Sequence, residues 1–172
     1  MIEIKKNRIE NNYSNWQIFG LTFLRVLIGW HFLYEGLIKV FTPNWTAEFY
    51  LAGAIGPLAP LFRSLSRSES LLAFVDTLNM WGLVVIGLGL FIGLFSKPLK
   101  IAGIILLLLY YFAYPPLVGA GINTHAEGSY WIVNKNLIEI ASLCVLFLFP
   151  SSHISGIDRF LSYKKSVLSS SR

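Results

Sequence analysis

Residues 16–40 read WQIFGLTFLRVLIGWHFLYEGLIKV, an apolar run long enough to cross a bilayer that nevertheless carries Arg25, His31, Glu35 and Lys39. Ionisable groups are expensive to place in hydrocarbon and are tolerated mainly where they face protein or do work. At about 100° per residue, these four fall within one arc of roughly 120°, with Gly29, Phe32 and Gly36 filling or flanking it. The charges therefore form a stripe that faces other helices, and function is to be sought on this helix.

The rest of the composition agrees with a membrane protein. The chain has 172 residues, of which 55% are hydrophobic and only 13% charged, with a mean hydropathy of +0.60. Such values exclude an ordinary soluble domain. The net charge of +5 does not point to nucleic acid, because no soluble segment interleaves basic residues with aromatics. Cys144 is the only cysteine, so an internal disulfide, a CxxC pair and a Cys-rich cluster are all excluded. It reads as a small buried apolar filler.

Four apolar segments follow one another: Trp16–Val40, Leu71–Phe95, Leu99–Tyr114 and Ile132–Phe149. The third covers only about 24 Å before Pro115 and Pro116, which is short for a span. Long helices without period-2 alternation exclude a membrane barrel. The expected architecture is an all-α integral membrane protein, a four-transmembrane-helix bundle over 16–161, between an N-terminal tail (1–15) and a C-terminal tail (162–172). The stretch Phe41–Ser70 mixes Trp45, Phe49, Tyr50, Leu58, Leu61 and Phe62 with Gly and Pro. It is too apolar to dangle in water and reads as an interfacial segment, either a plain anchoring cap or a lid over a polar site.

Basic residues set the orientation, since Lys and Arg accumulate on the cytoplasmic side. Lys5, Lys6, Arg8, Lys97, Lys100, Arg159, Lys164, Lys165 and Arg172 share one side, against Arg63, Arg67 and Lys135 on the other. Both termini are therefore expected in the cytoplasm, and the long charged first run reads as a retained helix rather than a cleaved signal. In that topology His31, Glu35, Lys39, Asp76, Asn79, Asn134, Lys135, Asn136 and Glu139 converge on the outer half, joined by Asn123, His125 and Glu127 from the loop 117–130.

Buried charges should be paired, and Arg25, Lys39 and Lys135 are available against Glu35, Asp76 and Glu139. Arg25 reads either as a bundle-locking salt bridge with Glu35 or Glu139, or as an anchor for an anionic or carbonyl oxygen. His31 reads either as an interhelical hydrogen-bonding residue or as a proton relay beside Glu35. A bis-histidine haem is disfavoured, because no second spanning histidine exists, and no metal site is expected. Gly82, Gly87, Gly89 and Gly93 line the second segment and read as helix packing, with Gly89 and Gly93 in GxxxG spacing.

The run from Leu24 to Lys39 resembles the first-helix signature of the DoxX/DoxD family, in which an Arg, two Gly, an aromatic and a closing Lys recur. Pro43-Asn44-Trp45, Gly56-Pro57, the stretch from Asn79 to Lys97, Asn134-Lys135-Asn136-Leu137-Ile138-Glu139 and Gly156-Ile157-Asp158-Arg159 add to the likeness, which covers most of 16–161. One departure is that relatives often carry a Glu near the start of the second helix, where this chain has Asn79, with Asp76 one turn earlier.

The resemblance implies a multi-pass protein of the bacterial cytoplasmic (inner) membrane, with the membrane subunit of thiosulfate:quinone oxidoreductase among its relatives. On this reading the chain is a quinone-linked redox subunit, a quinone-dependent oxidoreductase of the thiosulfate dehydrogenase kind. Arg25, His31, Glu35, Lys39 and Glu139 then do the chemistry, while Asp76, Asn79, Asn134, Lys135 and Asn136 bind quinone. Electrons come from a partner redox subunit or a small donor, and a homo-oligomer is the alternative assembly. The rival class is a non-enzymatic membrane assembly factor or anchor whose outer cap docks a partner.

Overall fold

The computed structural model describes residues 13–116, 129–149 and 155–158, and these are mostly helical. The expectations for residues 1–12, for the C-terminal tail and for Asn123, His125 and Glu127 lie outside the described residues. Helix α1 spans Asn15–Phe41, and its start is fixed by Ser14, whose hydroxyl accepts from Gln17 N while the Gln17 side chain accepts from Ser14 N. Two short helices, α2 (Glu48–Ala52) and α3 (Ala59–Ser66), lead into α4 (Glu69–Ile92) and α5 (Ser96–Ala113). A two-stranded hairpin, β1 (Ser129–Tyr130) with β2 (Val133–Asn134), then opens α6 (Lys135–Leu148). Three helices, α1, α4 and α5, are long and apolar enough to cross a membrane.

The element boundaries depart from the sequence reading for local reasons. Helix α4 stops at Ile92 because Gly93 adopts φ 73°, and Phe95 at φ 48° completes a tight reversal into α5. Lys100 therefore lies one turn inside α5 and is fully buried. Helix α6 is shorter than the expected segment, since Ile132 and Val133 belong to the hairpin and Asn134 Oδ1 caps the helix by accepting from Leu137 N at 3.0 Å. Its 14 residues rise about 21 Å.

Helix α1 runs antiparallel to α4, and α6 antiparallel to α5, while α1 and α6 touch only lightly. The two pairs share one core of Ile28, Phe32, Leu83, Ile86, Leu90, Leu107, Ile140, Leu143 and Leu146. Cys144 is not in that core: Ile140, Leu143 and Leu146 take the inward face of α6 and leave Cys144 exposed on the outer one. Gly82 likewise has open space beside it, so it is not a packing glycine.

The segment between α1 and α4 builds a second core of Ala47, Leu51, Ala54, Ala59 and Phe62 against Ala113 of α5. Ile55 N and Gly56 N both donate to Ala113 O, and Arg63 Nη2 donates to Ala54 O at 2.8 Å. Asp76 Oδ1 accepts from Ala47 N at 2.8 Å. Asp76→Ala strands that amide and should loosen this cap by about 1–2 kcal/mol. The expected result is faster proteolysis within residues 42–68 with the long helices intact, and Asp76→Asn, which keeps an acceptor oxygen, should behave nearly as wild type.

Candidate functional site

Antiparallel packing brings the C-terminal ends of α1 and α5 together with the N-terminal ends of α4 and α6, and a cavity opens between them. It is lined by His31, Phe32, Glu35 and Lys39 of α1, Leu83 of α4, Leu107 and Tyr110 of α5, and Lys135, Asn136 and Glu139 of α6. The enclosed part holds about 60 Å³, and about 360 Å³ is free when the open mouth is included. A few waters or one polar end of a ligand fit inside, so the rest of any bound molecule would lie in the open mouth.

Helical spacing puts His31, Glu35 and Lys39 one above another on α1. His31 Nε2 lies 3.8 Å from Glu35 Oε1, and His31 Nδ1 lies 2.7 Å from Glu139 Oε1 on the facing helix. The second contact pairs the imidazole directly with Glu139, whose other oxygen, Oε2, is buried with no hydrogen-bond partner among the described residues. An imidazole between two carboxylates, with an unpartnered carboxylate oxygen beside a cavity, is an arrangement that can receive and pass a proton.

Lys39 is held differently. Its Nζ donates to Asn79 Oδ1 at 3.0 Å and lies 5.2 Å from the Trp45 ring centre and 5.6 Å from that of Tyr110. Asn79 Nδ2 in turn donates to the Tyr110 hydroxyl at 2.7 Å. Tyr50 O–H donates to Tyr110 O, and Tyr114 O–H donates to Tyr50 O at 2.8 Å, which ties the cap to the rim of the pocket. Burial raises the Tyr50 and Tyr114 phenols above their ordinary values, so both act as neutral donors.

Of the residues singled out in the sequence, the structure gathers His31, Glu35, Lys39, Lys135, Asn136 and Glu139 around the cavity, with Asn79 just behind Lys39. Asp76 and Asn134 are elsewhere, hydrogen-bonded to backbone amides. Arg25 is separated too: it is 1% exposed and donates to Leu90 O at 3.1 Å and Ser155 O at 3.2 Å. It therefore forms a salt bridge with neither Glu35 nor Glu139, and its Nε has no partner among the described residues. Sequence reasoning missed Tyr110 and Trp45, because aromatics at a helix end look like an interfacial belt.

No family model matches the chain, and neither a curated protein nor a solved structure matches it at a significant level.

Proposed function

We propose that the chain is a DoxX-type four-helix protein of the bacterial cytoplasmic membrane, with both termini in the cytoplasm and the cavity opening to the extracytoplasmic side. There it serves as a quinone-linked redox subunit supplied with electrons by a partner. The observation that carries this reading is His31 poised between Glu35 and Glu139 on a cavity wall. A bound quinone supplies two-electron chemistry, taking up two electrons and two protons as it becomes quinol. The residues fit such a group, because the unpartnered Glu139 Oε2 beside the His31–Glu139 pair provides a place for a proton next to an acceptor oxygen. Glu35, more open than Glu139, connects that place to the mouth, with side-chain exposures of 42% and 18%.

Below the pocket, Ile28, Ile86, Ile140 and Leu143 form apolar packing. Along α1 this separates His31 from Arg25 by about 9 Å. Protons for the site are accordingly drawn from the mouth side alone.

The test is quinone retention by protein purified in nanodiscs. Wild type should bind a short-chain menaquinone, and His31→Gln or Glu139→Gln should weaken binding about tenfold or more at unchanged helicity. Unchanged affinity in both variants would overturn the role given to the pair. A second reading, a non-enzymatic anchor for a partner, is favoured by the separately packed cap. Wild-type protein that binds no quinone yet copurifies stoichiometrically with another membrane protein would establish it.

A further inference from the structure

We infer that Lys39 and Tyr110 form a corner of the pocket that binds a carbonyl or anionic oxygen, and that Asn79 is the positioning residue that aims both. An ammonium group only donates, so the Asn79 atom 3.0 Å from Lys39 Nζ is the carbonyl oxygen. That choice fixes the amide, and Nδ2 must be the atom donating to the Tyr110 hydroxyl at 2.7 Å. A phenol oxygen that accepts keeps its own proton free to give elsewhere. Tyr110 lines the cavity, and no acceptor for that proton is found among the described residues.

Lys39 has spent one of its three N–H donors on Asn79 and rests over two aromatic faces, with no carboxylate in salt-bridge contact among the described residues. Its remaining donors are available to the cavity it lines. The corner thus carries spare O–H and N–H donors. Of the two carboxylates of the pocket, Glu139 faces His31 from α6, while Glu35 lies between His31 and Lys39 on α1, 3.8 Å from the imidazole. A ligand held with its acceptor oxygen at Lys39 and Tyr110 has its protonatable end towards the His31–Glu139 pair.

The inference deepens the quinone reading and rests on it for the identity of the ligand: a ring carbonyl suits this corner better than a quinol hydroxyl, so the oxidised form should bind more tightly. The experiment measures binding of oxidised and reduced short-chain menaquinone, and of naphthoate as an oxyanion without redox chemistry, to nanodisc protein. Tyr110→Phe should lose about tenfold in affinity for oxidised menaquinone and for naphthoate, with little change for the quinol. Asn79→Asp still accepts from Lys39 but also accepts a hydrogen bond from the Tyr110 O–H, which turns that donor away from the ligand, so it should cause the same loss, and adding Tyr110→Phe should then cost nothing more. That non-additivity is a signature that mere loosening of the fold does not produce.

If wild type binds menaquinone and both single variants match it, the oxygen-binding corner is wrong while the quinone reading stands. If wild type binds naphthoate, loses it in Tyr110→Phe, and ignores menaquinone, the quinone reading fails and the corner stands. Binding of neither probe overturns both.

Discussion

Gly87→Ala should destabilise the protein by about 3 kcal/mol, more than alanine substitution at Gly82 or Gly89 on the same helix. A Cβ at Gly87 would fall inside the van der Waals envelope of the Leu33 backbone nitrogen and Cα, and one at Gly29 would meet the Phe91 backbone and Gly87 O. Gly36 repeats the pattern against Val84 N. Helices α1 and α4 therefore touch backbone to backbone at three levels, an approach that small residues allow and any side chain forbids. Because the obstructing atoms are main chain, relief requires the helices to move apart, which also opens the core around Phe32, Leu83 and Ile86.

At Gly89 the nearest atom is the flexible end of Leu99, so part of the clash is absorbed. At Gly82 nothing lies within 4 Å, and alanine there should be neutral or slightly stabilising through helix propensity. Thermal unfolding followed by circular dichroism in one detergent checks the ranking, and equal melting temperatures for Gly87→Ala and Gly82→Ala would refute it.

That contrast also shows what periodicity and composition reveal. Four glycines on one apolar segment look alike in sequence, and only the partner helix distinguishes Gly87 from Gly82. The stripe His31, Glu35, Lys39 was legible because it repeats every four residues and carries charge where hydrocarbon disfavours it. Arg25 shares the stripe's angular sector, but an angular projection discards axial rise. It lies about 9 Å below His31, level with the end of α4. Asn134 was legible as a cap in principle, being an Asn directly before an apolar run. Asp76 was not, since it sits inside α4 and caps a chain segment 29 residues away in sequence. Lys100 falls within the third apolar segment, but its burial was not legible, because a lysine near a helix start looks like a solvated flank whereas α5 already begins at Ser96. The Tyr110–Asn79–Lys39 chain joins three helices, and no local pattern announces a contact of that range.

Asp158→Ala should be the most damaging substitution at the opposite end of the bundle, costing about 3–5 kcal/mol. Two buried cations meet there. Arg25 donates to Leu90 O in the last turn of α4, and Lys100, fully buried, donates from Nζ to Leu146 O in the last turn of α6 at 2.9 Å. Each cation thus sits at a helix C-terminus, where the dipole presents about half a negative charge.

Asp158 supplies the remaining countercharge and sits at the start of α5, accepting from Phe95 N at 2.9 Å and Ser96 N at 3.2 Å. Its own amide donates to Gly93 O, and Ile157 N donates to Ile92 O, so residues 157–158 are fastened across the α4–α5 turn. Removing the carboxylate strands two amides and leaves two cations with only partial dipole charge against them, in a site water does not reach. Asp158→Asn keeps one acceptor oxygen but loses the charge, so it should fall between wild type and Asp158→Ala.

The decisive variant adds Lys100→Met to Asp158→Asn. If charge balance is what Asp158 supplies, removing one cation should recover part of the lost melting temperature, although Lys100→Met alone leaves Leu146 O unpaired. Recovery would show that Arg25, Lys100 and Asp158 serve the architecture, since their polar atoms are largely spent on helix ends. Strictly additive losses would mean that the hydrogen bonds to Phe95 and Ser96, rather than the charge, hold this end together.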